Sequence, residues 1–404
     1  MITGEWLRKK YRFTLIVEGL VAIIILYFII FFQPSYYVKS KNVSENFQRP
    51  MVTGNTTRVY GKDFYETAVA ISQISYPAIF KDDKPNAVIL VRGDRKEEAI
   101  LASRIINYPI NAPILYVEKD NVPQVTLNEI KRLDPQGIFV DRNRKAILIG
   151  DIGEKVKSQL NKGNIAFRHL QGKDLFELGK KIDDYLSAVK GDHKDAVIVA
   201  PIEIPNYALV QSAWTAHADD GFLFVSRNEI PKSTKDALNL RHGGAYIYLL
   251  GGENSISSDV KKQLLQYGVV QKIPGGEDIY SQSVGFAGYK DVGKNFGWWL
   301  SKRPRDFGWG ISEAGHNFIF ANPGEWQSAI AASALSHKGK YGPMILVEKD
   351  NIADSVRRYL LTVKPMENYA QGQIYNHGWI IGSEDNISSK VQVKLDEILD
   401  SRKE

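Results

Sequence analysis

The sequence predicts an α/β protein made of three tandem three-layer modules, preceded by one hydrophobic segment. Two ordered markers carry this prediction. A Gly-x-Asp motif begins at Gly61, Gly172 and Gly276, with spacings of 111 and 104 residues. A glycine turn after an apolar run follows each motif, at Gly150, Gly251 and Gly382. Solenoid repeats are about 20–50 residues long, so each copy here is long enough to hold a core of its own.

The N-terminal hydrophobic segment has the length of a membrane-spanning helix. Residues 13–32 carry one charge, Glu18, and they match a hydrocarbon core of about 30 Å. Four basic residues precede the segment, which places the N-terminus in the cytoplasm and the modules outside. The apolar run exceeds the about 7–15 residues of a signal-peptide core, and no small-x-small cleavage site follows it. We therefore expect residues 1–32 to be a cytoplasmic stub and a transmembrane anchor rather than a cleaved signal.

The remaining chain divides into a linker and three repeats. Residues 33–57 are polar and contain Pro34 and Pro50, which is typical of a tether. The markers then define repeat 1 (residues 58–165), repeat 2 (residues 166–268) and repeat 3 (residues 269–404).

Each repeat has the same order of predicted elements. A short strand ends at the first glycine, and an Asp then caps a helix, with a Glu three residues later in two copies as in a capping box. The predicted caps are Asp63 with Glu66, Asp174 with Glu177, and Asp278 with Ser281. Apolar runs typical of buried parallel strands follow at residues 87–91, 196–200 and 318–321. Helices and strands alternate from there to the second glycine, which predicts a parallel sheet covered on both faces.

These motifs resemble a known family. The Gly61-Lys-Asp-x-Tyr-Glu-Thr-Ala motif, the apolar strand before an Ala-rich helix, the Ala-Pro-Ile-Leu run at 112–115 and the Leu-Gly-Gly turn at Gly251 are similar to the type 2 cell-wall-binding repeat of Gram-positive surface proteins. The resemblance covers residues 58–404. It implies that the three modules pack about a pseudo-threefold axis and bind anionic cell-wall polymer non-covalently.

The chain departs from the pattern of that family at two positions. The family carries an Arg after the Asp of the first motif, and this sequence has Phe64, Leu175 and Ile279 there. The Asp that opens the second helix of the family is replaced by Glu98, Tyr207 and Ser328. The first change removes a cation that would pair with a polyanion.

Composition and motif spacing argue against several other classes. The net charge of +6 belongs mostly to the N-terminal 57 residues, which hold seven basic and three acidic residues, so the charge gives no support for nucleic-acid binding. The chain has no Cys, and its seven His lack metal-ligand spacing. No Gly-x-Ser-x-Gly or Walker motif occurs. We therefore expect no enzymatic activity, no metal and no cofactor.

Two clusters of cations are candidates for polymer binding. Arg58, Arg168 and Lys272 each precede the first glycine of a repeat. Arg92, Arg95 and Lys96 follow the C-terminal end of a predicted strand, where α/β sheets usually bind ligands. The alternative is that all six lie on ordinary solvated surface.

Repeat 3 also holds an aromatic insertion, at about residues 288–316. Its candidate residues for stacking on sugars or contacting a protein partner are Trp298, Trp299, Trp309, Arg303 and Arg305. The alternative is a loop that covers an interface between modules.

Together, the sequence predicts a non-enzymatic, membrane-anchored protein of the cell envelope with extracytoplasmic modules. Its expected partner is an anionic wall polymer or another surface component. One alternative is a membrane-anchored assembly or filament subunit, which the aromatic insertion favours. A second alternative is a wall-active hydrolase, although no catalytic domain is recognisable in the sequence.

Overall fold

The computed structural model describes residues 17, 18, 20, 21, 51–292, 306–365 and 374–401. Most of the predicted anchor and of the linker therefore lies outside the described residues, as do Trp298, Trp299, Arg303 and Arg305. Within the described part of the chain, no helix is both long enough and apolar enough to cross a membrane.

The described residues alternate between strands and helices. The strands are β1 (Met51–Val52), β2 (Thr56–Val59), β3 (Val88–Arg92), β4 (Ile114–Val117), β5 (Ala146–Ile149), β6 (Phe167–Leu170), β7 (Ala196–Pro201), β8 (Gly221–Val225), β9 (Ala245–Leu249), β10 (Gly268–Lys272), β11 (Asn317–Ala321), β12 (Met344–Leu346) and β13 (His377–Ile381). The α-helices are α1 (Phe64–Ser75), α2 (Lys96–Ala102), α3 (Gln124–Leu133), α4 (Glu154–Lys162), α5 (Leu175–Lys190), α6 (Leu209–Ala218), α7 (Lys232–Asn239), α8 (Ser258–Leu264), α9 (Ile279–Gly288), α10 (Trp326–His337), α11 (Asp354–Thr362) and α12 (Ser389–Leu399).

The strands form three sheets. Sheet 1 has the order β4-β3-β5-β6, sheet 2 the order β10-β9-β7-β8, and sheet 3 the order β1-β2-β13-β11-β12. Neighbouring strands are parallel, except that β1 is antiparallel to β2. The predicted α/β class with parallel sheets and repeated modules is therefore confirmed.

The opening strand of each repeat lies in the sheet of another repeat. Strand β6 opens repeat 2 but pairs with β5 of sheet 1, and β10 opens repeat 3 but pairs with β9 of sheet 2. Strand β2 opens repeat 1 and pairs with β13 of sheet 3, which closes the three repeats into a ring. The sheets thus cross the repeat boundaries. The periodic sequence identifies the strands but not their partners, so it does not reveal this crossing.

A capped turn carries the chain from one sheet to the next. Asp63 Oδ1 accepts a hydrogen bond from the Glu66 amide at 2.9 Å, and Asp174 Oδ1 accepts one from the Glu177 amide at 2.7 Å. A Cβ atom on Gly61 would lie 2.6 Å from the backbone nitrogen of Thr67. The predicted helix caps are confirmed, and the turn has no room for a side chain at that glycine.

The third junction has the same cap with a different partner. Asp278 accepts from the amide of Ser281 at 2.8 Å, and the Ser281 hydroxyl donates to the other carboxylate oxygen of Asp278. After each turn the helix packs on the following sheet: α1 lies on β4, α5 on β8 and α9 on β12.

One apolar core joins the three repeats. On β7, Ile198 and Ala200 face this common core, whereas Val197 and Val199 face a separate outer core of sheet 2. Period-two alternation on a strand produces these two faces. The inner helices connect all three repeats, because α2 packs against α5, α6 against α10, and α10 against α1.

Candidate binding surfaces

The opening strands of the three repeats, β2, β6 and β10, place different side chains at equivalent positions of their sheets. Arg58 lies opposite Ile380, His169 opposite Leu148, and Lys272 opposite Leu249. Each of these partners stands two residues before the glycine turn of its own sheet. Arg168 is one residue earlier than His169 and therefore points to the other face of its sheet. By strand register, the residue of β6 that is equivalent to Arg58 and Lys272 is therefore His169 and not Arg168.

Arg58 is a buried structural residue and not a surface cation. Its side chain is 1% exposed, and burial lowers its pKa. Its Nη1 donates to the carbonyl oxygen of Gly382 at 2.9 Å, and its Nε donates to Gln392 Oε1 at 2.9 Å. His169 Nε2 lies 2.8 Å from the carbonyl oxygen of Gly150, the equivalent atom of sheet 1. Arg58 thus joins β2 to sheet 3 by hydrogen bonds, and its buried side chain is not accessible to a polymer.

Arg168 pairs with an acid of repeat 1, Asp141, which lies in a short 3-10 helix before β5. Its Nε donates to Asp141 Oδ2 at 2.7 Å, and its guanidinium lies 5.2 Å from the ring centre of Tyr185. Burial would raise the pKa of Asp141, but the hydrogen bonds from Arg168 and Tyr185 lower it. The pair borders a cleft of about 540 Å³ between β6 and α5. Asp141 also pairs with Arg144 at 2.9 Å, so one carboxylate serves two guanidinium groups, and an external anion would have to compete with it for Arg168.

The other predicted cations are also held by groups of the protein. Arg92 Nη2 lies 2.6 Å from Asp94 Oδ2, and Arg92 Nη1 lies 2.9 Å from Asp151 Oδ2. The remaining pairs are Arg95 with Glu98 at 3.3 Å, Lys272 with Glu253 at 2.7 Å, and Lys96 with Asn206 at 3.1 Å. The contact of Lys96 joins repeats 1 and 2. These interactions compete with any external anion for the same donors.

Carboxyl groups occupy the crevices at the C-terminal ends of two sheets. Glu98 is 5% exposed and burial raises its pKa; a Cβ atom on Gly150 would lie 1.9 Å from its Oε2. Glu325 lies against Gly382 in sheet 3, accepts a hydrogen bond from Asn386, and has a pKa raised by burial to about 7. When Glu98 or Glu325 is ionised, its carboxylate would repel an anionic ligand from the crevice that it occupies.

Sequence reasoning did not single out Glu325, although a signal for it existed. Glu325 stands three residues before Ser328, as Arg95 stands three residues before Glu98. When repeats 1 and 3 are aligned by Glu98 and Ser328, the carboxyl group of Glu325 falls at the position of the guanidinium of Arg95.

The described end of the aromatic insertion covers an interface between repeats. Phe307 is buried and stacks on Tyr248, with ring centres 3.5 Å apart. Trp309 lies 5.2 Å from Trp214 and 5.1 Å from His217, measured between ring centres. Trp214, His217 and Tyr248 belong to repeat 2, so this part of the insertion fits the interface alternative.

A polar network joins the repeats at the opposite ends of the sheets. Arg104 Nη1 lies 2.6 Å from Asp219 Oδ1, and Lys190 also pairs with Asp219. Burial lowers the pKa of Lys190 to about 8. His337 Nε2 lies 2.9 Å from Asn111 Oδ1, which brings repeats 3 and 1 together. The sequence carried no motif for this network, because its members come from all three repeats and are far apart in the chain.

No group of His, Asp and Glu side chains suited to a metal ion occurs among the described residues.

A family model and two curated proteins match this chain. The model described as cell wall binding domain 2 matches residues 58–157 and 169–261, so the resemblance is confirmed for two repeats. The amidase enhancer of Bacillus subtilis (strain 168) is 25% identical over 228 residues, which are 55% of this chain and 29% of that protein. N-acetylmuramoyl-L-alanine amidase LytC of the same strain is 23% identical over 223 residues, 53% of this chain and 40% of that protein.

Two solved structures share the fold. Cwp6 from Clostridium difficile superposes with a TM-score of 0.68 and 19% identity, covering 91% of this chain and 51% of that chain. Cwp8 from Clostridium difficile gives a TM-score of 0.66 and 19% identity, covering 86% and 52%. This chain thus spans about half of the two structures, and the matched stretches make up less than half of the two curated proteins.

Proposed function

We propose that this chain is a cell-wall-associated surface protein that binds an anionic wall polymer non-covalently through its ring of repeats. The observation that carries the proposal is the match of the cell wall binding domain 2 model to residues 58–157 and 169–261. In this proposal residues 13–32 anchor the chain in the membrane, and the ring lies outside it. The protein then connects the membrane to the wall.

The proposed role is binding and not catalysis. The two curated relatives are named for amidase chemistry, but the matched stretches cover only 29% and 40% of them. We therefore transfer only wall association to this chain. A ring whose three repeats share one inner apolar core suits a rigid binding platform, because its surfaces keep fixed positions relative to one another.

Polymer binding has to come from local patches of charge. The chain outside the N-terminal 57 residues has an excess of only two positive charges, and the described members of the predicted cation clusters already contact groups of the protein. This small net charge neither attracts nor repels an anionic polymer strongly, so in this proposal a few unpaired cations decide whether the polymer binds.

A second candidate function is assembly through protein contacts. Phe139 and Val140 lie in a short 3-10 helix between α3 and β5, with 86% and 55% of their surface exposed. Adjacent exposed apolar side chains are typical of protein interaction sites. In this alternative the ring contacts copies of itself or another surface component.

Retention on purified cell walls separates the two functions. The full chain, kept soluble in detergent, is mixed with walls that retain their anionic polymer and with walls from which it has been extracted. The proposed function predicts retention on the first walls only, with release as the salt concentration rises. Equal retention on both walls, together with loss of binding in Phe139→Ser, would favour the assembly function.

A further inference from the structure

A groove runs between the two outer helices of sheet 3, α11 and α12. Val356 and Leu360 of α11 and Val391 and Leu395 of α12 are fully buried against the sheet, which fixes the spacing of the helices. The groove between them has a volume of about 520 Å³. It opens away from the common core, on the outer side of the ring.

Three cations line this groove: Arg357, Lys364 and Lys394. Among the described residues, no carboxylate oxygen lies within ion-pair distance of any of them. Lys364 Nζ donates to the main-chain oxygen of Glu397 at 2.8 Å, which holds its charge at the groove. The acidic residues Asp354 and Glu397 also line the groove, so its own net charge is one positive. These cations differ from Arg92, Arg168 and Lys272, each of which lies within ion-pair distance of a carboxylate oxygen.

The equivalent grooves of sheets 1 and 2 lack this arrangement. The amides of Gly153, Ser257 and Ser388 each donate at 2.8 Å to the main-chain oxygens of Lys119, Arg227 and Lys349, so the second outer helices begin at equivalent positions. Six residues beyond these starts, Lys394 corresponds to Gln159 and Gln263. Counted likewise from the caps of the first outer helices, Arg357 corresponds to Leu127 and Lys235, and Lys364 to Asp134 and His242.

The hydrogen bonds of Gln159 in sheet 1 show what is lost where sheet 3 has Lys394 at the equivalent position. In sheet 1, Gln159 Oε1 accepts from the amide of Val122 at 2.8 Å, and Gln159 Nε2 donates to Asn121 Oδ1 at 3.2 Å. A lysine has no acceptor and cannot make the first bond. Asp134 in sheet 1 pairs with Lys84 and Lys145, whereas Lys364 brings a positive charge to the same position. Sheet 3 therefore gives up internal bonds and gains cations at its groove.

We propose that the groove between α11 and α12 is the site at which the ring holds phosphate or carboxylate groups of the wall polymer. The proposal rests on the proposed function and gives it a location. The guanidinium of Arg357 offers two parallel donors to one anionic group, and the two lysines act as point charges beside it. An outward-facing groove lets an extended polymer pass without entering the ring. It also places the anion site away from Glu98 and Glu325.

A matched pair of double variants tests the proposal. Arg357→Gln with Lys394→Gln removes two charges from the groove, and Lys131→Gln with Lys155→Gln removes two charges from the outer helices of sheet 1. Each full chain is titrated in detergent with purified walls, and linear inorganic polyphosphate is used as a soluble competitor. We expect the groove variant to lose about tenfold in apparent affinity at low salt, whereas the control stays close to the unmodified chain. The difference should shrink at high salt.

The remaining outcomes separate the groove from the general function. If the unmodified chain binds walls and both double variants bind equally well, the groove assignment is overturned and the proposed function stands. If the unmodified chain does not bind walls at all, both are overturned. Arg357→Lys with Lys394→Arg keeps the charges and should retain most of the binding. Unchanged circular dichroism and melting of the groove variant show that the loss does not come from unfolding.

Discussion

Acidification should weaken the contact between the third and first repeats through His337. This residue ends α10 and is 9% exposed, and its Nε2 lies 2.9 Å from Asn111 Oδ1. Burial, assisted by Lys338 and opposed by Asp219, lowers its pKa from 6.5 to about 4. The folded protein therefore holds a neutral imidazole at pH values where the unfolded chain already carries the proton.

The size of the effect follows from the shift in pKa. A difference of about 2.5 pKa units corresponds to about 3 kcal/mol of unfolding free energy. The direction is fixed by the sign of the shift. A lowered pKa gives stability that is fully present above pH 6.5 and is lost progressively as the pH falls to about 4.

Urea unfolding between pH 4 and 7.5 measures this loss. Other buried groups titrate in the same range, and Glu325 does so with the opposite sign, because burial raises its pKa to about 7. The measurement therefore compares the unmodified protein with His337→Gln, whose side-chain amide can still donate to Asn111. We expect the free energy of unfolding to fall less in the variant, by about 3 kcal/mol over this range. If the two pH curves are parallel, the imidazole of His337 is not the group responsible.

Three further predictions follow from the placement of other residues. Residues 50–404 expressed alone should be soluble, whereas the full chain should fractionate with membranes; a mature protein that begins after residue 32 would contradict the anchor. Arg58→Glu should lower the free energy of unfolding by about 3–5 kcal/mol because it places an unpaired charge in the core, whereas Lys272→Glu at the surface should change melting little; equal melting of both variants would refute the structural role of Arg58. Glu325→Gln should stabilise the protein above pH 7, since a raised carboxyl pKa costs stability as the pH rises through it, and thermal melting at pH 6 and 8 checks the sign.

The sequence predicts local features well where their causes are local. The caps at Asp63 and Asp174 depend on side chains three residues apart, so the motif alone identifies them. The α/β class follows from apolar runs such as residues 196–200, which lie within β7. Strand partners are decided by contacts far apart in the chain, and no periodic pattern reveals that β2 joins β13.

The surroundings of the candidate binding residues were harder to predict for the same reason. Arg58 has the sequence context of a surface cation, but Gln392 and Gly382, more than 300 residues away, enclose it. The register of β6 moves Arg168 to the other face of its sheet, and a shift of one residue cannot be read from sequence spacing alone. Arg357 and Lys394 lie on ordinary amphipathic helices, and the comparison of three equivalent grooves is what distinguishes them.

The closure of the ring by β2 fixes the number of repeats. In an open array a copy can be gained or lost at an end, because each repeat contacts only its neighbours. Here every sheet borrows its last parallel strand from the next repeat, and sheet 3 borrows from repeat 1. Deleting one repeat would leave a sheet without its edge strand and two inner helices without their partners. We therefore expect the sequence of such a protein to diverge by substitutions on its outer helices and by insertions such as residues 288–316. The duplication or loss of a whole repeat would break the ring.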